Sequence, residues 1–131
     1  MKNLRPHVLL VEDSPLASAA AIAVLAKLGC LVDLAEEGME ALRLVKQKYY
    51  DMIFMDLRLT DVDGMLITEK IKKIEGAKQI PVVALTVHDD ESLKERCFKI
   101  GMMGFIKKPL QIEKARYFLQ KYLPTFEDPS V

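Results

Sequence analysis

Cysteine is scarce in this chain. It has 2, Cys30 and Cys97, each inside an apolar stretch and too far from the other to build a disulfide framework or a zinc site. They read as reduced core residues of a cytoplasmic protein. Histidine is as thin, and His7 and His88 lie too far apart, with no cysteine beside them, to be a metal pair. Excess charge is missing too: 19 Lys and Arg balance 19 Asp and Glu, which excludes the basic footprint of a nucleic-acid or membrane-surface binder. The longest unbroken apolar run, Ala19 to Ala26, is far shorter than the ~20 residues of a membrane helix. Lys2 and Arg5 could open a signal peptide, but Glu12 and Asp13 cut its apolar segment short. No glycine-rich loop follows the first apolar run, which argues against a flavin or nucleotide site. What remains is a chain of 131 residues, one domain that buries roughly 68% of its unfolded surface. A protein or a small anion is the expected partner, with no nucleic acid and no membrane insertion.

What is present is a set of short apolar runs that end in charge. Met52-Ile53-Phe54-Met55 ends in Asp56, Val8-Leu9-Leu10-Val11 in Glu12-Asp13, and Phe105-Ile106 in Lys107-Lys108-Pro109. In parallel, adjacent strands these charges would share one sheet edge. Two carboxylates about 4 Å apart repel by ~4 kcal/mol at an effective dielectric near 20, so the cluster calls for a cation. Mg2+ suits hard oxygen ligands and leaves coordination positions to water and phosphate. A phosphoryl-handling site follows.

The runs alternate with segments of helical period, the pattern of a parallel sheet covered on both faces. Strands are expected at His7–Val11, Leu31–Ala35, Asp51–Met55, Ile80–Leu85 and Gly104–Lys107. Ser14-Pro15 is a good helix start. Ala17, Ala21, Val24, Leu25 and Leu28 form the buried stripe of that helix, and Gly29 ends it. Further helices are expected at Met39–Lys46, Met65–Ile74, Asp90–Ile100 and Ile112–Leu123, with Leu93, Cys97 and Ile100 in period in the fourth interval. The fold expected is a doubly wound α/β domain whose ligands bind beyond the carboxyl ends of its strands. Asp13, Asp56, Thr86 and Lys108 lie there. Residues 124–131 read as a loose tail or the start of a linker, and Met102 and Met103 as core or rim filling.

Taken together, Val11-Glu12-Asp13-Ser14, Met55-Asp56, Asp63-Gly64, Ala84-Leu85-Thr86 and Phe105-Ile106-Lys107-Lys108-Pro109 closely resemble the receiver domain of two-component response regulators and hybrid histidine kinases. The resemblance covers about His7 to Leu123, so 1–123 is the expected receiver domain, of flavodoxin-like fold. It implies that Asp56 accepts a phosphoryl group from a phosphohistidine of a histidine kinase or a histidine phosphotransfer protein. It also implies that Asp13, Glu12 (through water), Asp56 and the main-chain carbonyl of Arg58 hold Mg2+. Lys108, directly before Pro109, matches the family lysine, and Lys107 should point to the other face. Thr86 and Phe105 match the switch pair: the hydroxyl would move to the phosphoryl group and the ring would turn inward. That would remodel the face formed by the fourth helix, fifth strand and fifth helix. With no further domain after Leu123, the chain is expected to be a stand-alone receiver or a piece of a larger protein such as a hybrid kinase. It would be a signalling domain with self-catalysed phosphotransfer, not an enzyme that turns over a substrate.

The chain departs from the family at Leu59-Thr60, where Met-Pro is usual. That leaves the loop after Asp56 one constraint fewer, while Asp63-Gly64 keeps its turn chemistry. Arg58 and His88, two residues past Asp56 and Thr86, flank the path of an attacking water and are expected to slow hydrolysis of the acyl phosphate. Two rival readings differ in class. A haloacid-dehalogenase-type phosphohydrolase would carry Asp-x-Asp-x-Thr, but Arg58 stands where Asp56-Leu57-Arg58-Leu59-Thr60 would need its second acid. A receiver-like module that never carries phosphate would not need Glu12, Asp13, Asp56, Thr86 and Lys108 all intact.

Overall fold

In the computed structural model, which describes residues 5–88 and 90–129, the apolar runs form a five-stranded parallel sheet of order β2-β1-β3-β4-β5. The strands are β1 (His7–Val11), β2 (Leu31–Ala35), β3 (Met52–Asp56), β4 (Val82–Thr86) and β5 (Gly104–Lys107). The helices are α1 (Pro15–Lys27), α2 (Gly38–Gln47), α3 (Gly64–Ile71), α4 (Glu91–Lys99) and α5 (Ile112–Tyr122). This is the expected doubly wound fold.

Side chains alternate along each strand, so the sheet divides the core in two. Leu9, Val11, Ile53, Met55, Val82 and Ala84 pack with α2, α3 and α4. Val8, Leu10, Met52, Phe54, Val83, Leu85 and Ile106 pack with α1 and α5. The central strands β3 and β4 are buried along their whole length, which is why they read as apolar runs without alternation. Each fully buried side chain of this kind contributes roughly 1.5–3 kcal/mol. Cys30 and Cys97 are free and buried in these clusters, and burial pushes the Cys30 thiol up to about 12. Met102 is core, while Met103 is partly exposed at the rim.

Two strands sit later than expected. Asp51 precedes β3: its amide still donates to His7 O at 2.8 Å, but the His7 amide donates to the Asp51 carboxylate, also at 2.8 Å, rather than to a backbone carbonyl. Pro81 has no N–H to add to β4, although its carbonyl accepts from Ile53 N at 2.9 Å. Asp56 and Thr86 therefore belong to their strands as last residues. The third helix stops at Ile71 rather than Ile74, giving way to tighter turns in which Lys73 and Ile74 donate to Lys70 and Ile71. The remaining helix ends differ from expectation by one residue at most.

The described part of the last segment, 124–129, is not loose. Phe126 packs against the α1/α5 core and donates its amide to Leu123 O at 2.9 Å, and Asp128 pairs with Arg116. Apolar area and an opposite charge within reach account for this docking. Residues 130–131 lie outside the described residues.

The amino-terminal edge of the sheet carries a polar cluster with no sequence motif. The Tyr50 hydroxyl at 2.7 Å, the Lys48 ammonium at 3.1 Å and His7 Nε2 at 3.3 Å all meet Asp33 Oδ2. The Tyr50 hydrogen bond, with help from Lys48 and His7 and against the effect of burial, holds the Asp33 carboxyl below its ordinary range. This cluster lets the fully buried Tyr50 ring satisfy its hydroxyl at the rim.

Candidate functional site

At the opposite edge the strands deliver their charges together. Val11 pairs with Met55, Asp56 with Leu85, and Thr86 with Lys107, so one residue further on Glu12 comes beside Asp56 and Lys108 beside the end of β4. Three bonds continue the ladder past the strand ends: Glu12 N to Ala35 O at 2.9 Å, Leu57 N to Leu85 O at 3.2 Å and Lys108 N to Thr86 O at 2.7 Å. The loops that carry the charged groups are thus anchored to the sheet at their first residue.

Alternation then sorts the side chains. Glu12, Asp56 and Lys108 follow the face of Leu10, Phe54 and Ile106, whereas Thr86 and Phe105 follow that of Ala84, toward α4. Lys107 is exposed and Lys108 is not, as expected for adjacent strand residues.

The Lys108 ammonium lies 2.5 Å from Glu12 Oε1 and 3.0 Å from Asp56 Oδ2. The second Glu12 oxygen accepts from Ser14 N at 3.2 Å and the second Asp56 oxygen from Arg58 N at 3.0 Å. Glu12 is 2% and Asp56 4% exposed, so these four contacts replace water almost entirely. Asp13 is half-buried next to them with no side-chain hydrogen bond or ion pair among the described residues. Single ligand oxygens of Glu12, Asp13 and Asp56 all lie within 4.8 Å of one another.

Among the described residues the charge balance is unequal, with three carboxylates against one ammonium. Burial, and then the neighbouring Asp56, raise the Glu12 carboxyl above its ordinary range, against the opposing pull of Lys108 and the Ser14 amide. Burial alone would lower Lys108, but its bonds to Glu12 and Asp56 outweigh that and raise it. A divalent ion fits: hard oxygen donors, convergent geometry and excess negative charge are what Mg2+ requires.

The other expected residues sit around this cluster. Thr86 is buried, and its Oγ1 accepts from His88 N at 3.1 Å. Arg58 and His88 are exposed, and with Leu57 and Thr86 they line a cleft of about 250 Å3 beside the end of β3. Phe105 is half-buried, with the Lys94 ammonium 5.9 Å from its ring centre. It lines a groove together with Lys94, Phe98, Met103, Tyr117, Phe118 and Tyr122. The Lys108–Pro109 peptide is cis.

Two contributions were not legible from strand-end charges. Gly64 lies so close to the end of β3 that a Cβ there would sit 2.1 Å from the Asp56 carbonyl oxygen; its signal was the Asp63-Gly64 turn pair. Asp61 reaches out of the same loop to accept from Gly38 N at 2.9 Å and Met39 N at 3.0 Å. Nothing local in the sequence announces that contact.

A five-stranded flavodoxin-like sheet with an acidic cation site and a lysine at its carboxyl edge defines a class, the α/β domains that handle phosphoryl groups. Residues 8–120 match the family model of the response regulator receiver domain, and the chain belongs to that family. It is 32% identical over 122 residues to the signal transduction histidine-protein kinase BarA of Escherichia coli, covering 93% of this chain and 13% of that protein. It is 36% identical over 101 residues to the osmosensing histidine protein kinase of Saccharomyces cerevisiae, covering 73% of this chain and 8% of that protein. The chain thus spans a small part of either relative. The receiver domain of a Pseudomonas aeruginosa sensor histidine kinase, solved with a magnesium ion coordinated in its active-site cleft, superimposes with a TM-score of 0.85 at 32% identity, covering 92% of this chain and 98% of that one. The chemotaxis response regulator CheY4 of Vibrio cholerae gives 0.84 at 25% identity, covering 91% and 99%. This is a phosphoacceptor domain of two-component signalling.

Removing one member of a buried ion cluster leaves the others uncompensated. Lys108→Met should cost roughly 3 kcal/mol at neutral pH without divalent ions, as measured by urea denaturation. The raised Lys108 pKa means its contribution is fully present below the ordinary value of 10.5 and is lost only as pH rises through the higher folded value. A variant as stable as the native chain contradicts this balance.

Proposed function

We propose that Asp56 is the phosphoacceptor and that Glu12, Asp13, Asp56 and the main-chain carbonyl of Arg58 hold Mg2+ beside it. The observation that carries this reading is the Lys108 ammonium shared between Glu12 and Asp56, with Asp13 unpaired among the described residues. An Asp56 carboxylate oxygen attacks the phosphorus of a phosphohistidine. The new P–O bond forms as the P–N bond breaks, and the imidazole leaves with the electron pair and takes a proton from solvent. When bound, Mg2+ supplies positive charge to the transferring group. Lys108 supplies the rest from a fixed strand end, so positioning and electrostatics carry most of the catalysis.

The donor is a histidine kinase, or a histidine phosphotransfer protein in a multistep relay. Around the pocket, exposed Val87 with Ala17, Ala20 and Pro109 forms an apolar rim suited to the surface of a donor protein. Among the described residues no helix is long and apolar enough to cross a membrane, and the two free, buried thiols suit the cytoplasm. We take 1–123 as the receiver unit and 124–131 as its carboxyl-terminal tail, of which Phe126 and Asp128 dock back onto the unit.

Thr86 and Phe105 are the switch. The Thr86 hydroxyl moves to a phosphoryl oxygen, and the Phe105 ring turns into the space released, shifting the population toward a remodelled α4-β5-α5 face. Phenylalanine has no hydroxyl, so its inward state depends on packing. Arg58 and His88 slow hydrolysis by occupying the approach to the acyl phosphate.

In magnesium buffer with a phosphorylated kinase, the native chain should take up label and Asp56→Asn should not. Label on Asp56→Asn at the native level would move the acceptor elsewhere. After donor removal, Arg58→Ala and His88→Ala should each speed the decay of phosphorylated chain severalfold, of the order of 1 kcal/mol in barrier. Unchanged decay in both removes these side chains from the hydrolysis path.

A further inference from the structure

The loop from Leu57 to Asp63 must keep the Arg58 carbonyl beside Asp56, yet at Leu59-Thr60 it has no proline to stiffen it. Its base is closed by Gly64 N to Leu57 O at 3.0 Å and by a bridge between Arg58 and Asp63. Its tip is held from outside. Asp61 accepts the Gly38 amide on Oδ1 at 2.9 Å and the Met39 amide on Oδ2 at 3.0 Å. These are two of the donors that a helix start leaves without intrahelical partners.

The helix does not cap itself. Glu37 has the extended backbone of an N-cap, φ −135 and ψ 154, but makes no side-chain cap bond. Asp61, 23 residues downstream of Gly38, takes over that role. Val62 secures the same point, since a Cβ on Gly38 would lie 2.5 Å from Val62 Cγ2. A glycine at the helix start lets the loop tip approach this closely. Burial disfavours the charged Asp61 carboxyl, but the Gly38 and Met39 amides, with its own and that of Val62, hold it below the ordinary range. It is therefore anionic at neutral pH, as a bidentate acceptor of amides should be.

We propose that Asp61 is a positioning residue that ties the loop after the acceptor aspartate to the start of α2, so that the ion site and the helix end report on each other. This rests on the reading that the pocket binds Mg2+. Coupling of this kind is reciprocal: if an anchored loop favours the ion, the ion must favour the anchored loop. The anchor does from a neighbouring helix what a proline would do within the loop.

The test separates loop positioning from helix capping. Asp61→Ala removes both, while Glu37→Ser in the Asp61→Ala background returns a local cap to α2 without reconnecting the loop. By calorimetric titration, the Mg2+ dissociation constant should rise roughly tenfold in Asp61→Ala, as for loss of an outer-shell partner. It should stay raised in the double variant even as resistance to urea recovers. By NMR, Mg2+ should slow hydrogen exchange at the Gly38 and Met39 amides of the native chain, and Asp61→Ala should abolish the slowing. Native Mg2+ affinity in Asp61→Ala, or recovery of affinity along with stability in the double variant, overturns the positioning role. A native chain that binds no Mg2+ overturns the ion site and the positioning role together, so the two failures are distinguishable.

Discussion

One ammonium shared by two buried carboxylates is the constraint on which this molecule turns. Lys108 lies 2.5 Å from Glu12 and 3.0 Å from Asp56, and Asp13 beside them is not neutralised by any described side chain. A buried cluster of this kind is a poor way to stabilise a fold, because desolvation of the ions offsets their attraction. It is a good way to leave a pocket short of positive charge. The apolar clusters on the two faces of the sheet carry the stability, and the carboxyl edge carries the electrostatic tension.

Strand alternation gives that tension a direction. Glu12, Asp56 and Lys108 follow the α1/α5 side of the sheet, while Thr86 and Phe105 follow the side of α4. The bond from Lys108 N to Thr86 O, at 2.7 Å, joins the exits of β5 and β4. The loop after Asp56 adds a third direction, toward α2, through Asp61. Arg58 and His88 use their backbone amides in parallel ways, each donating to the side chain two residues before it, which leaves both side chains exposed at the cleft.

Features that depend on local sequence were legible before the structure. Apolar runs marked all five strands because a parallel sheet buries both faces of its central strands, and strand-end charge marked Glu12, Asp13, Asp56 and Lys108. Boundaries shifted where a side chain competed with the backbone ladder, as Asp51 does with His7, or where Pro81 had no amide to give. The rest depends on contacts between residues far apart in the chain. Asp61 looks like an ordinary loop acid until α2 is placed beside it, and Asp33 looks like a surface charge until Tyr50, Lys48 and His7 converge on one of its oxygens. Phe126 was legible only as an aromatic in a polar tail, because its docking site comes from the α1/α5 core.

On this reading the carboxylate cluster at the carboxyl edge is incomplete until a divalent ion and a phosphoryl group balance it. Beryllofluoride, a tetrahedral stand-in for that group, tests it most directly when titrated into the native chain and followed by amide NMR. Amides at Asp56, Thr86 and their neighbours should shift with Mg2+ present and stay in place without it. Amides around Asp56 that stay unmoved with both ligands present would contradict it.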